Sequence, residues 1–241
     1  MTPRMTARSV VLSVLLGAHP AWATAAELLR LTEDFGIKET TMRVALTRMV
    51  SAGDLVRSDD GYRLSERLLV RQRRQDAALH PAIRDWDGTW LTVVVTAVGA
   101  DARSRAGLRI ILQDNRFAEL REGVWLRPDN LDAALPDGIG NRVRVLHARD
   151  DAPGELAATL WDLPGWSKEG RRLLREMSAA GSIPDQFAVA AAIVRHLLTD
   201  PVLPGDLLPA DWPADRLRAA YSDFAARLVQ RRDDARLVEV R

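Results

Sequence analysis

Apolar positions recur at helical spacing through the first 80 residues, punctuated by glycine and proline. Arg8–Gly17 (RSVVLSVLLG) is apolar on most sides, which predicts a short buried helix closed by Gly17 and Pro20. Thr24 stands where an N-cap belongs. Ala25, Leu28, Leu29 and Leu31 then follow at helical intervals, predicting a second helix through Phe35 that Gly36 ends. A third helix is expected from Lys38 to Ala52, stopping at Gly53. Leu55–Ser65 (LVRSDDGYRLS) reads as a strand, an Asp-Gly turn and a strand, which is a hairpin signal. Ser65 caps a further helix to Leu79, and His80-Pro81 breaks it.

A second pattern starts near Trp86. Thr89–Val98 is rich in β-branched residues and predicts a strand. Asp101 caps a helix through Asn115 with Leu108, Ile111 and Leu112 turned inward, and Gly123–Arg127 and Arg142–His147 read as further strands. This β-α-β-β order predicts a small α+β sandwich. From Ala152 the chain reads as proline-broken helices over 152–161, 168–180, 185–199 and 213–232. The expected domains are 1–80, 81–150 and 151–241.

Composition adds bounds. A chain of 241 residues is too long for one small helical module and has room for two or three domains. The net charge of +1 argues against a polybasic protein. Met1–His80 carries 12 Lys+Arg against 9 Asp+Glu, so a mildly basic head precedes a mildly acidic body. With no cysteine, disulfides and thiolate metal or redox sites are excluded. Arg4, Arg8, the apolar run and Ala21-Trp22-Ala23 resemble a secretory signal. The buried-helix reading is preferred, because cleavage after Ala23 would remove a helix that the next segment needs. No stretch approaches the ~20 apolar residues of a membrane span, so the expected compartment is the cytoplasm.

The segment Phe35–Leu55 (FGIKETTMRVALTRMVSAGDL) carries the functional signal. Met42, Ala45, Leu46 and Met49 form one buried stripe. Lys38, Thr40, Thr41, Arg43, Thr47 and Arg48 fall off it and supply hydroxyls and cations. Such a helix fits the major groove, where arginine reads guanine bidentately. Arg57 and Arg63 on the hairpin are assigned to phosphates, because the acidic Asp59-Asp60 tip suits phosphate poorly. The order of helix, helix, glycine turn, helix and hairpin is that of a winged helix-turn-helix. Arg67, Arg71 and Arg74 make a stripe on the next helix, which could line DNA backbone or be a plain solvated face.

With these segments in view, the sequence resembles the PaaX-like family of phenylacetic acid degradation repressors. Beyond RSVVLSVLLG and the recognition segment, the marks are WDGTW at Trp86–Trp90, GVWLRPDNL at Gly123–Leu131, LWDLPGW at Leu160–Trp166 and DPVLPGDLLPADWP at Asp200–Pro213. The resemblance covers nearly the whole chain. It implies an N-terminal winged helix, a central ferredoxin-like domain similar to Cas2 and a helical C-terminal domain. It also implies a dimeric, cofactor-free repressor of aromatic catabolism that binds double-stranded operator DNA. Release would be by an aryl-CoA thioester, typically phenylacetyl-CoA. The effector is expected to bind between the central and C-terminal domains.

Seven tryptophans against two tyrosines is unusual. Trp90, Trp125, Trp161, Trp166 and Trp212 could wall an aromatic acyl pocket or simply fill cores. Arg105, Arg109 and Arg127 could clamp CoA phosphates or serve in salt bridges. His196, mid-helix among apolar neighbours, joins this set as an interdomain residue. The candidate effector residues are therefore Arg105, Arg109, Trp125, Arg127, Trp161 and His196. No histidine has a second ligand at metal-binding spacing. The enzymatic alternative is a metal-dependent nuclease using Asp101 in the Cas2-like domain, although Asp101 as a helix N-cap explains the residue without metal. Leu197, Leu203, Leu207 and Leu208 are the expected dimer contacts.

Overall fold

The computed structural model describes residues 5–33, 35–58, 60–97, 101–132, 135 and 139–239, excepting the side chains of 31–33, 141 and 231–239. Arg4, Asp59 and Val98, and the side chains of Leu31, Asp233 and Asp234, lie outside the described part. The chain forms two compact units, one of residues up to Leu79, 170–198 and from Ala214 onward, the other of 80–169 and 199–213. Packing thus divides the stretch 151–241 between them.

The first unit opens with α1 (Ala7–Gly17), β1 (Trp22–Thr24), α2 (Ala25–Glu33), α3 (Glu39–Ser51), β2 (Leu55–Arg57), β3 (Gly61–Leu64) and α4 (Glu66–Leu79), the order of a winged helix-turn-helix. Thr24 caps α2 reciprocally with Glu27. The Glu27 amide donates to the Thr24 hydroxyl at 3.1 Å, and the Glu27 carboxylate accepts from the Thr24 amide at 2.8 Å. Gly36, at φ +61°, makes the turn into α3 in a conformation that side chains disfavour. The sheet order is β1-β3-β2, all antiparallel. The sequence reading lacked β1, because three residues are too few to show an alternation.

The hairpin turn also differs from the Asp-Gly expectation. The Ser58 amide donates to the Gly61 carbonyl at 2.9 Å, and Gly61 is the first residue of β3. Gly61 is needed for another reason: a Cβ there would sit 2.3 Å from the Ala23 carbonyl oxygen of β1.

The second unit contains β4 (Trp90–Val95), α5 (Ala102–Asp114), β5 (Ala118–Arg121), β6 (Val124–Pro128), β7 (Val143–Ala148), α6 (Pro153–Leu160) and the start of α7 (Leu163–Ala179). Its antiparallel sheet has the order β5-β6-β4-β7. A β-α-β pair split by an intervening strand, with the last strand on the far edge, is the ferredoxin-like arrangement. Edge strand β5 escaped sequence reading, since AELR is only four residues long and made of strong helix formers. Successive strand residues point to opposite faces. Val93 and Trp125 meet Leu108 and Leu112 of α5, whereas Trp90 and Leu126 meet Ala157, Leu163, Leu203 and Leu207.

The first unit is completed by α7 from Gly170, α8 (Ile183–Leu197) and α9 (Ala214–Glu239). Here α1 is a shared layer. Val11, Leu15 and Leu16 join Met42, Leu46 and Met49 of α3, while Val10 joins Phe187, Ala190 and Phe224 of α8 and α9. Fully burying one such side chain contributes about 1.5–3 kcal/mol. The Gln72 side-chain amide on α4 donates to the α1-end carbonyls of Leu15, Leu16 and Ala18 at 3.3, 3.2 and 2.8 Å, satisfying acceptors that a helix end leaves open. No described helix is long and apolar enough to cross a membrane.

Candidate nucleic-acid interface

Helix α3 is amphipathic as its spacing predicts. Met42, Leu46 and Met49 are buried, Ala45 is half-buried, and Lys38, Thr40, Thr41, Arg43, Thr47 and Arg48 are exposed. At 3.6 residues per turn the line opposite the buried stripe runs through Thr40, Val44 and Thr47. Val44 is 51% exposed at the centre of this face, flanked by Arg43 and Arg48. Sequence reasoning missed it. The signal was a β-branched apolar residue two positions from the buried Met42 on an otherwise polar face. An exposed apolar group there suits a thymine methyl.

The start of α3 is open. Lys38 is the N-cap with extended backbone (φ −66°, ψ 143°) and makes no side-chain cap hydrogen bond. The first-turn amides and the Lys38 ammonium therefore favour an anion such as a backbone phosphate. Thr47 donates its hydroxyl to the Arg43 carbonyl at 3.0 Å. Thr41, Val44 and Arg48 also line a groove shared with Thr6 and Arg8 of the α1 end.

Behind α3, the carboxylate of Asp54 is 3% exposed and receives two arginines. Arg8 donates through Nε at 3.0 Å and Nη2 at 2.8 Å, and Arg67 through Nη2 at 2.5 Å. This cluster ties α1, the end of α3 and α4 together, which gives Arg67 a structural role. On the hairpin, Val56 pairs with Arg63 and Arg57 with Tyr62. Both arginines are exposed, but these successive pairs place them on opposite faces of the ribbon.

The candidate effector residues are dispersed. Arg109 pairs with Glu119 at 2.7 Å and lies 5.6 Å from the Trp125 ring centre, on the α5 side of the sheet. Arg105 is exposed one turn earlier on α5. Arg127 is 3% exposed on that same side, with its guanidinium 5.1 Å over Phe117. Its Nε and Nη1 have no hydrogen-bond partner among the described residues, and burial holds its pKa below the ordinary arginine range. Trp161 lies on the opposite sheet face, stacked on Trp90 at 6.4 Å, and His196 belongs to the first unit. The sheet therefore keeps Trp125 and Trp161 out of one pocket. Trp166 and Trp212 stack at 4.3 Å, and Trp90, Trp161 and Trp212 belong to one core cluster of the second unit.

Asp101 caps α5, its carboxylate accepting from the Ser104 amide at 2.7 Å. No three His, Asp or Glu side chains come together as a metal site among the described residues. The nuclease alternative thus finds no support. Leu197, Leu203 and Leu207 are buried within the protomer, which removes them as dimer contacts.

Three successive segments match one family: residues 6–68 match PaaX-like protein, 83–157 the PaaX protein central Cas2-like domain, and 164–235 the PaaX-like protein C-terminal domain. Among solved structures, uncharacterized protein Rv0674 from Mycobacterium tuberculosis is 66% identical, with 96% of this chain and 99% of that one covered and a TM-score of 0.86. No curated protein matches the chain. With matches to all three domain types in order, the chain belongs to the PaaX-like family of transcriptional regulators.

Proposed function

We propose that this protein is a DNA-binding repressor of an aromatic catabolic operon. It binds double-stranded operator DNA as a homodimer in the cytoplasm and leaves it when an aryl-CoA, phenylacetyl-CoA or a relative, binds. Its site is non-catalytic. The observation that carries the reading is the exposed face of α3. It sets Thr40, Val44 and Thr47 between Arg43 and Arg48, above an uncapped, lysine-bearing helix start. Lys38, Thr40, Thr41, Arg43, Thr47 and Arg48 meet the duplex in the major groove, and Arg57 and Arg63 meet phosphates.

Selection from random duplexes, followed by binding titration of the enriched site, tests this. The expected result is one enriched two-fold site bound at least 1,000-fold more tightly than scrambled duplex. Absence of any enriched sequence would contradict it. Light scattering should give twice the chain mass for the free protein, and two chains plus one duplex on the selected site, as two half-sites require.

A further inference from the structure

A cavity of about 280 Å³ lies inside the first unit, walled by α1, α4, α8 and α9. Its interior is apolar, with Val14, Phe187, Val194, Phe224 and Leu228 among its walls. Arg71 and Arg195 also line it, beside Arg74. The same two arginines also line an open groove of about 900 Å³ along α1, α7 and α8. Neither has an ion-pair partner among the described residues, whereas Arg172 in the groove is paired with Glu176.

We infer that this cavity and groove form a binding site for an organic anion with an apolar aryl or acyl body, the body entering the cavity and the anionic head lying at Arg71 and Arg195. The inference rests on the repressor reading above and gives its effector a place in the fold. Apolar walls with a few convergent polar groups are the usual make-up of a small-molecule site. Tyr221 supplies one more polar group. Its hydroxyl accepts from the Gln75 side chain at 3.3 Å, and burial raises its pKa above the ordinary value, so it faces the ligand neutral. The groove has room for a headgroup far larger than a carboxylate.

The location supplies a route to DNA. Helix α1 lies between cavity and recognition helix, with Val14 on the cavity wall and Val11 and Leu15 against α3. A ligand that seats better when α1 is displaced shifts α3 as well, which is the differential affinity a switch requires.

The test is calorimetry on the full-length protein with phenylacetyl-CoA, phenylacetate and coenzyme A alone, beside DNA titrations with each. We expect the thioester to bind, with Arg195→Ala weakening it about tenfold or more and leaving ligand-free DNA affinity unchanged. Ala191→Trp, checked for folding by circular dichroism, should block the edge of the cavity and abolish binding. If phenylacetate binds as tightly as the thioester, the head is a simple carboxylate and the groove is idle, but the cavity stands. If both variants bind the thioester normally, or nothing binds the wild type, the site is wrong. The repressor reading is judged separately, by the ligand-free DNA titration.

Discussion

Arg43 is held by Glu39, one turn earlier on α3, with its Nε and Nη2 at 2.7 and 2.6 Å from one carboxylate oxygen. Both side chains are more than half exposed, so the pair contributes little stability. Its consequence lies in binding, because Arg43 must exchange Glu39 for the duplex. Glu39→Gln removes the competitor and a negative charge near phosphate. It should tighten DNA binding several-fold on the selected site and less on scrambled duplex, where only the lost charge counts, read by fluorescence anisotropy at fixed salt. Weaker binding would mean that Glu39 positions Arg43 and does not compete for it.

Asp54 joins three elements through Arg8 and Arg67. Asp54→Ala deletes charge-assisted hydrogen bonds, but both arginines are more than half exposed and stay hydrated. The expected cost is therefore about 1–3 kcal/mol, below that of stranding a buried charge. Urea unfolding followed by circular dichroism should show the midpoint fall. An unchanged midpoint would deny the cluster its structural role.

Gly61→Ala should destabilise although Gly61 lies in an ordinary strand conformation. The new Cβ would meet the Ala23 carbonyl, so β1 must move off β3. A loss of about 1–3 kcal/mol is expected, as for other overpacked sites. Gly36→Ala fails for a different reason, its left-handed backbone, with open space around the added Cβ.

The helices of the first unit were legible because each carries both a period and a stop signal, as in α3 with Met42, Leu46 and Met49 closed by Gly53. The recognition face was legible for the same reason, as the remainder of a clear stripe. Strands β1 and β5 were not, being three and four residues long, too short to establish a period. The role of Gly61 was hidden too, since it depends on a strand 37 positions earlier that local turn chemistry does not include. The cavity was the least legible feature. Its walls come from four helices, and Arg71 and Arg195 are joined by no motif.

The central claim, that α3 reads base edges, is tested most directly by comparing Arg43→Ala with Arg63→Ala on the selected site and on scrambled duplex across a salt series. Arg43→Ala should cost about 1–3 kcal/mol on the selected site alone and relax the preference at one base pair. Arg63→Ala should weaken both duplexes equally and make the slope of log K against log salt shallower by about one unit. If Arg43→Ala leaves both affinity and base preference intact, α3 does not read the groove and the account fails.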